Sequence, residues 1–312
     1  MPAVNNNLKL LDLPLWELLQ PFPVASASGS CTVTDRRGNN RYMYCLFSTV
    51  NFWRYDCWAN TFQQLASPIT GSMGVGTAMV FDPSLGRIWL LLANTSAPTF
   101  QYYDISTNTW TARAVTGLPG TWGIDAHLSH TDETYNVAGN GDYIYLIGNF
   151  SLAFYRYSIT GNTWATLTSL PLATGQGCSI HWLHGWDNNQ LIAIRGGGAS
   201  DIYSYNISLN SWSASLAYNP RTEGFGLGTM AVPRGVPPDR LLVQKDNTSR
   251  VYQFNPATLV MEPVSTQYLL VGSTLITGDR IAYVVEPQSG VEFLYLGLHA
   301  STAWLRSPLV VP

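Results

Sequence analysis

The octapeptide YDISTNTW at residues 103–110 returns, with changes, as YSITGNTW at 157–164 and YNISLNSW at 205–212. In the first copy, Tyr103 and Ile105 alternate with polar residues, which is the period of a β-strand. The Ser-Thr-Asn run that follows supplies turn chemistry, because Asn tolerates left-handed backbone and Ser and Thr favour tight turns. The next two residues begin a second β-prone segment. Each copy therefore predicts a β-hairpin with two aromatic residues seven positions apart.

Six segments of the chain carry this spacing or a variant of it. The pairs are Tyr55 and Phe62, Tyr103 and Trp110, Tyr157 and Trp164, Tyr205 and Trp212, Phe254 and Met261, and, with two extra residues in the turn, Tyr295 and Trp304. Their second members are 48, 54, 48, 49 and 43 residues apart. A period of about 40–50 residues built from strands alone is typical of a β-propeller. We expect these bulky residues to be structural anchors that fill the space between neighbouring blades.

A strand, a turn and a strongly apolar strand precede each hairpin. The apolar strands are RYMYCLFS, RIWLLLA, YIYLIGN, QLIAIRGGG, RLLVQK and RIAYVVE. The fold class is therefore predicted to be all-β, a six-bladed β-propeller of four-stranded blades, with the apolar strands buried in the middle of the blades. We divide the chain into an N-terminal arm or closing strand, 1–23, and a single propeller, 24–312.

The N-terminal segment LWELLQPFP at residues 15–23 resembles an outermost strand and its following loop. Trp16 precedes Phe62 by 46 residues, which is one period. Seven blades are therefore the alternative, but the sequence supplies no two inner strands for a seventh. The segment then either closes the last blade or packs outside the ring.

These units resemble the Kelch motif, in which an apolar strand ends in a diglycine and a Tyr and a Trp follow. LIAIRGGGASDIYSYNISLNSW at 191–212 matches best, with Gly196, Gly197, Tyr205 and Trp212 in place. The other units keep the aromatic pair or stand-ins for it but lose the diglycine. The resemblance covers residues 24 to 306 as architecture and implies a propeller. It does not imply one function, because propellers host enzymes and binding proteins alike.

Composition excludes several classes of partner. The 312 residues are 46% hydrophobic and 11% charged, with a net charge of −3, which gives no electrostatic case for nucleic acid or an anionic membrane. No apolar run reaches the roughly 18 residues of a membrane span, and no convincing signal peptide is present. Among the four cysteines no CxxC occurs. Cys45 and Cys57 flank a predicted turn, and we interpret them as buried thiols, with a pairing across two strands as the alternative.

The sequence invites two enzymatic interpretations. Some Kelch-like propellers are copper oxidases, which need His and Tyr ligands, and the chain has five histidines: His127, His130, His181, His184 and His299. HLSH and HWLH lie on or near innermost strands of adjacent blades, but residues i and i+3 of a strand point to opposite faces and chelate poorly. Three acidic residues could complete a site with His130: Asp125, Asp132 and Glu133. We expect no metal, cofactor or catalytic residue.

The second enzymatic interpretation is a sialidase, whose six-bladed propeller carries Asp-boxes at hairpin turns. SITGNTW at 158–164 resembles an Asp-box with one residue missing and the Asp replaced. A sialidase also needs three arginines, a Tyr nucleophile and a Glu partner. Fourteen arginines are present, but none lies in a recognisable catalytic motif, and the sequence shows no pair of carboxylates spaced for catalysis.

We therefore predict a non-enzymatic protein-interaction propeller, a structural or adaptor component of an assembly such as a phage or virus particle, in a virion or extracellular setting. The alternative is an extracellular propeller that binds or cleaves glycans. The predicted partners are other protein chains, or a glycan. The interaction residues are the apolar ones near the N-terminus, which we expect to dock on another chain or to cross the ring's outer edge as an added strand: Leu8, Leu10, Leu11, Leu13, Leu15 and Trp16.

Overall fold

The computed structural model describes residues 16–37, 40–47, 51–69, 71, 73–93, 97–120, 122, 125–131, 142–148, 150–183, 186–219, 224–226, 229–234, 240–244, 251–264, 280–286, 289–297 and 301–309. These residues form 24 β-strands and no helix, arranged as six four-stranded antiparallel sheets. None of them belongs to a helix with the length and hydropathy needed to cross a bilayer. The predicted all-β, six-bladed propeller is confirmed.

Each blade contributes one strand to the inner wall of the ring. In chain order of blades 1 to 6, the innermost strands are β2 (Cys31–Thr34), β6 (Ala78–Asp82), β10 (Ala126–His130), β14 (Ser179–Trp182), β18 (Met230–Arg234) and β22 (Arg280–Val285). Each contacts the innermost strand of the next blade, and β22 contacts β2, so the ring closes after six blades.

Three further strands pair outward in each blade. The second strands are β3 (Tyr42–Leu46), β7 (Arg87–Leu92), β11 (Tyr143–Gly148), β15 (Gln190–Ile194), β19 (Arg240–Gln244) and β23 (Glu292–Gly297). The third strands are β4 (Phe52–Asp56), β8 (Thr99–Asp104), β12 (Tyr155–Ser158), β16 (Ile202–Asn206), β20 (Val251–Asn255) and β24 (Trp304–Pro308). The outermost strands are β5 (Thr61–Gln64), β9 (Thr109–Arg113), β13 (Thr163–Thr166), β17 (Ser211–Trp212), β21 (Val260–Pro263) and, in blade 6, β1 (Glu17–Leu18).

The second strands are apolar throughout because both of their faces are buried. In β7, Trp89 and Leu91 pack in a cluster shared with blade 3, while Ile88 and Leu90 pack in a cluster shared with blade 1. The described residues contain six such clusters, one at each junction between neighbouring blades. The core of the propeller therefore lies between blades, as successive strand residues pointing to opposite faces require.

The tryptophans of the repeat lie in these junctions. Trp164 is 7% exposed, and its ring meets Phe100 of blade 2 edge-on, with centroids 5.0 Å apart. Trp110 makes the same contact with Phe52 of blade 1, and Trp212 with Phe154 of blade 3, both also at 5.0 Å. An aromatic side chain on an outer strand thus fills the gap to the preceding blade.

In blades 1 to 4, an asparagine between the two aromatic residues completes the hairpin. Asn60, Asn108, Asn162 and Asn210 have φ between 49° and 54°, the left-handed conformation that Asn tolerates. Each accepts the hydroxyl proton of its own tyrosine, as in Tyr103 OH to Asn108 Oδ1 at 2.8 Å. Each also accepts a backbone N–H from the segment after the preceding blade's outermost strand, as in Ala66 N to Asn108 Oδ1 at 3.1 Å.

Trp110 adds a third bond to this contact, because its Nε1 donates to the Ala66 carbonyl at 2.7 Å. Trp164 and Trp212 repeat it with Ala114 and Thr168, at 3.0 and 2.9 Å. We call this arrangement of Tyr, Asn and Trp the hairpin clasp. It explains why the octapeptide recurs in blades 2, 3 and 4: the same residues that form the turn also tie each of these blades to its predecessor.

The N-terminal segment closes the ring. Glu17 and Leu18 pair with Arg306 and Leu305 of β24, so β1 is the outermost strand of blade 6. Gln20 N donates to Asn60 Oδ1 at 2.9 Å, which is the clasp that other blades make with residues following their own outermost strands. Of the two alternatives, the closing strand is the one observed for these residues. Residues 1–15 lie outside the described residues, so the division of the chain at residue 23 stays a prediction.

Blade 6 differs from the unit predicted for it. RIAYVVE forms its innermost strand, β22, whereas the apolar strands of the other five blades are second strands. Tyr295 and Trp304 accordingly lie on the second and third strands, and they are not directly opposite each other: Tyr295 pairs with Arg306, and Trp304 with Gly297. The closing strand supplied from the N-terminus accounts for this shift, because it takes the outermost place.

The diglycine of the Kelch-like segment has a steric reason. Gly196 has φ 75°, and a Cβ at this position would lie 2.5 Å from the carbonyl oxygen of Gln176 and 2.6 Å from the amide nitrogen of Cys178. The turn after β15 can therefore approach the entry to β14 only without a side chain. None of the four cysteines forms a disulfide bond, so no disulfide joins Cys45 to Cys57.

Candidate functional site

The inner wall of the ring surrounds a central cavity of about 80 Å³. Residues of all six blades line it: Thr32, Val33, Thr34, Arg36, Met79, Phe81, His127, His181, Ala231, Val232, Pro233, Ile281 and Ala282. Pockets that hold drug-sized ligands usually measure about 300–1,000 Å³. The cavity therefore has room for a few waters or one small ion, but not for an organic substrate of ordinary size.

The two histidines of HLSH point in different directions, as expected for residues i and i+3 of a strand. His127 lines the cavity, whereas His130 is fully buried, with its Nε2 3.8 Å from Oδ2 of Asp82. The same Asp82 carboxylate accepts the indole N–H of Trp89 at 3.2 Å. His130 therefore belongs to a polar contact between blades 2 and 3 and does not share a ligand set with His127.

Across blades, however, two histidines come together. The rings of His127 and His181 meet edge to face, with centroids 4.5 Å apart. Sequence reasoning judged each HxxH by itself and missed this pair. A signal was present, because the 54 residues from His127 to His181 equal the spacing from Trp110 to Trp164. Equal spacing places the two histidines at equivalent positions of neighbouring inner strands.

Arg36 reaches across the cavity from the end of the inner strand of blade 1. Its Nη2 donates to the carbonyl of Pro233 in blade 5 at 2.8 Å, passing blade 6. Burial and, to a smaller extent, the nearby positive charge of Arg36 together lower the pKa of His181 to about 3. His181 is therefore a neutral imidazole at physiological pH.

Asp125 does not join His130. It precedes β10, whereas His130 ends this strand, and five residues of strand span about 16 Å. Its Oδ2 is buried without a hydrogen-bond partner among the described residues, and desolvation raises its pKa to about 6. Asp132, Glu133, His184 and His299 lie outside the described residues. In the described part of the chain, no group of three or more His, Cys, Asp or Glu side chains is placed to hold a metal ion.

One cluster of Tyr, Glu and Arg exists at the junction of blades 5 and 6. The hydroxyl of Tyr283 donates to Glu292 Oε2 at 2.7 Å, and Arg234 holds both oxygens of the same carboxylate at 2.6 and 2.5 Å. Burial and the bond to Glu292 raise the pKa of Tyr283. A nucleophilic tyrosine needs the opposite shift, and at 3% exposure this one is out of reach of a substrate. The cluster acts as a buried ion pair that joins two blades.

Of the predicted interaction residues, Trp16 is described, and Leu8, Leu10, Leu11, Leu13 and Leu15 lie outside the described residues. Trp16 is partly buried against the cluster between blades 5 and 6, so it belongs to the ring. The predicted anchors Tyr55, Tyr103, Tyr157, Tyr205 and Tyr295 are at most 1% exposed. Trp304 is fully buried, and Phe62 packs partly buried beside it.

A second surface is apolar and exposed. Phe150, Leu152 and Leu172 are 48%, 46% and 46% exposed. They lie on two loops that are joined by backbone bonds, Leu170 N to Leu152 O at 2.8 Å and Thr174 N to Ser151 O at 3.1 Å. We call these three side chains the blade 3 patch.

The backbone of the blade 3 patch is strained. Phe150 has φ 51°, and among the described non-glycine residues with positive φ it is the one aromatic. Bulky side chains rarely adopt this conformation, which costs roughly 1–2 kcal/mol. Sequence reasoning missed this surface, because no local pattern marks a loop whose apolar residues stay in water.

Comparison with known proteins supports the fold. No family model matches this chain, and no curated protein matches it. The chain is similar to a crystal structure described as an auxiliary nutrient binding protein from Bacteroides ovatus ATCC 8483, with a TM-score of 0.61 and 12% sequence identity. The match covers 94% of this chain and 73% of that chain. At this identity the likeness shows the propeller fold alone, and the Kelch resemblance is not confirmed as family membership.

Proposed function

We propose that this protein is a non-enzymatic interaction propeller, a structural or adaptor component of a larger assembly. The assembly contact we propose joins two copies: residues 1–15 of one copy dock on the blade 3 patch of another. The observation that carries this proposal is the strained, exposed apolar surface around Phe150. Surfaces of this kind mark protein interaction sites when several apolar side chains adjoin.

The second partner in the proposed contact is the N-terminal segment, which joins the ring at blade 6. β1 and Trp16 hold the chain at the outermost edge of blade 6. The fifteen residues before Trp16 include five leucines. Burying three such side chains would contribute several kcal/mol, at about 1.5–3 kcal/mol each. A segment of this composition is therefore suited to an apolar surface on a protein.

The distances across the ring favour binding of residues 1–15 to a second copy over binding to the blade 3 patch of their own chain. Blades 3 and 6 are opposite each other in a ring of six. With four strands per blade at about 4.8 Å spacing, the two outer edges lie roughly 40 Å apart or more. Fifteen residues span at most about 50 Å when fully extended. Binding within one chain would thus need an almost straight segment across the ring, whereas binding between copies would not.

Deletion of residues 1–15 tests the proposal, because this deletion spares every described contact of the ring. We expect the full chain to self-associate with increasing concentration in analytical ultracentrifugation, and the deleted chain to stay monomeric with an unchanged Tm. A labelled peptide of residues 1–15 should bind the deleted chain. Phe150→Ser combined with Leu172→Ser should abolish this binding, whereas Leu209→Ser, at an exposed turn of blade 4, is the matched control.

The proposal is wrong if the full chain remains monomeric and the peptide does not bind. Equal loss of binding in the control would show that the peptide adheres to any exposed leucine. A deleted chain that unfolds would show that residues 1–15 belong to the ring, and the sequence-based argument for a partner would then be lost. A phage or virus particle is one setting for such an assembly, to be tested by locating the protein in purified particles.

Glycan or nutrient binding is the alternative function, favoured by the name of the similar Bacteroides ovatus protein. The 80 Å³ cavity is too small for a sugar, so a sugar would have to stack on exposed aromatic side chains such as Trp58, which is 43% exposed. A glycan array probed with the chain lacking residues 1–15 distinguishes the two functions. Binding that Trp58→Ala removes would favour the glycan.

A further inference from the structure

The turns of the propeller are divided between the two faces of the ring. Successive strands of a blade pair antiparallel. The turn between the innermost and second strands and the turn between the third and outermost strands therefore lie on one face, which we call the first face. The turn between the second and third strands lies on the opposite, second face. The connection from each outermost strand to the next blade begins on this second face too.

The same face assignment holds from blade to blade, because neighbouring inner strands run in the same direction. Ile180 N donates to His127 Nδ1 at 3.3 Å. Two residues further along both strands, Trp182 N donates to Ser129 Oγ at 2.9 Å. All six blades also have the same order of strands from the inner wall outward. A turn of blade 3 and the equivalent turn of blade 6 are therefore on the same face of the ring.

The blade 3 patch lies on the second face. Phe150 and Leu152 belong to the turn between β11 and β12, which are the second and third strands of blade 3. Leu172 belongs to the connection from the outermost strand of blade 3 to the inner strand of blade 4. All three side chains are about half exposed. The surface that would accept residues 1–15 is therefore presented on the second face.

Residues 1–15 join the ring on the first face. β1 pairs antiparallel with β24, so the chain enters β1 where β24 ends. Leu309, directly after β24, donates its backbone N–H at 2.7 Å to the carbonyl of Glu292, the first residue of the second strand of blade 6. Trp16 packs in the same cluster as Leu309. The attachment point of residues 1–15 therefore lies beside the turn between the innermost and second strands of blade 6.

These positions conflict with a two-fold pair, in which each copy would give its segment to the other and receive one in return. Blades 3 and 6 are opposite each other in the ring. When two rings lie side by side under a two-fold axis, each attachment point is a full ring diameter, roughly 40 Å or more, from the patch it would have to reach. When two rings stack on equal faces, the interface holds either both attachment points or both patches, but never one of each.

A head-to-tail pair avoids this conflict. A shift of one ring relative to the other brings blade 6 of one copy next to blade 3 of the following copy, with the first face of one towards the second face of the other. The offset that remains is about the length of an inner strand, roughly 17–20 Å for five or six residues. Six or seven residues of extended chain span this distance.

We propose that this protein associates head to tail, so that its self-assembly continues beyond two copies into a chain or a closed cycle of rings. The inference rests on the proposed contact between residues 1–15 and the blade 3 patch, and adds the geometry of that contact. A contact between two different surfaces generates a filament or a cycle, whereas one self-complementary surface ends at a pair. Each copy would carry one donor segment and one acceptor patch on opposite faces.

Two complementary variants test this arrangement. The chain lacking residues 1–15 keeps the patch but has no segment to donate, whereas Phe150→Ser with Leu172→Ser keeps the segment but loses the patch. We expect each variant alone to be monomeric in analytical ultracentrifugation. Their equimolar mixture should form pairs and nothing larger, because such a pair has used its one segment and its one patch. The full chain, and the control Leu209→Ser, should exceed twice the monomer mass as the concentration rises.

The mass of the full chain separates this inference from the proposal on which it rests. A mass that levels off at two copies would overturn head-to-tail assembly and leave the contact itself standing. A full chain that stays monomeric, together with a mixture of variants that does not pair, would overturn the contact and the inference with it. The chain lacking residues 1–15 should also shorten full-chain assemblies when added in excess, and an unchanged mass would count against the inference. Leu152→Ser with Leu172→Ser replaces the first patch variant if Phe150→Ser lowers Tm.

Discussion

Removal of one asparagine from the hairpin clasp should uncouple two blades by a predictable amount. Asn210 Oδ1 accepts the hydroxyl of Tyr205 at 2.7 Å and the backbone N–H of Thr168, in the preceding blade, at 3.0 Å. Its φ is 49°. Asn210→Gly removes both hydrogen bonds, but Gly adopts a positive φ without strain. Asn210→Ala removes the same bonds and also strains the backbone, because a residue with a Cβ disfavours the left-handed conformation.

The expected magnitudes follow from these contacts. Two hydrogen bonds at about 0.5–1.5 kcal/mol each give a loss of about 1–3 kcal/mol in the free energy of unfolding for Asn210→Gly. Asn210→Ala should lose about 1 kcal/mol more, because Ala at positive φ costs roughly that much. Tyr205→Phe removes one of the two bonds and should lose about 1 kcal/mol.

Urea unfolding followed by fluorescence and by circular dichroism measures these losses, and coincident curves justify a two-state treatment. A double-mutant cycle with Tyr205→Phe and Asn210→Gly isolates their bond, with an expected coupling of about 0.5–1.5 kcal/mol. A loss below about 0.5 kcal/mol for Asn210→Gly, the size of an ordinary surface substitution, would refute the clasp as a stabilising contact.

Three further predictions concern packing, pH and metal. Trp164→Ala should destabilise the protein by about 3–5 kcal/mol, and a urea-measured loss below about 1 kcal/mol would contradict its role between blades. The raised pKa of Asp125, about 6 against an ordinary 3.8, contributes stability that is present below pH 3.8 and lost as the pH rises through 6. Asp125→Asn should therefore raise the free energy of unfolding by about 1–2 kcal/mol at pH 8 and by little at pH 4. The expected gain is smaller than the roughly 3 kcal/mol that the full pKa shift corresponds to, because the carboxyl group is partly exposed. An equal gain at both pH values would rule out ionisation as the cause. We also predict no tightly held transition metal, and stoichiometric copper or zinc in the purified protein that His127→Ala or His181→Ala abolishes would overturn this.

Most of the fold could be predicted from the chain's local patterns. The clasp hydrogen bond joins residues five positions apart, as in Tyr103 and Asn108, so it leaves a short motif that can be recognised without a structure. Repetition of this motif every 43 to 54 residues then determines the number of blades. The apolar second strands follow from the same logic, because a strand buried on both faces needs no polar residue.

Closure of the ring could not be predicted in this way. Glu17 and Arg306 pair although 289 residues separate them, and the sequence offered two positions for the N-terminal segment. Choosing between them depends on which strand of the last blade reaches the inner wall. That choice is a property of the complete ring, so no single repeat contains it.

The candidate sites depend on the tertiary structure for the same reason. The ring spacing places His127 beside His181, and Arg36 meets Pro233 197 residues away, so the lining and volume of the cavity arise only when six blades meet. The blade 3 patch is likewise formed by two loops about twenty residues apart, joined by the bonds between Leu152 and Leu170 and between Ser151 and Thr174. Local sequence determines which strands and hairpins form, because their bonds are short-range. The surfaces that can bind something arise from contacts between blades, and these require the closed ring.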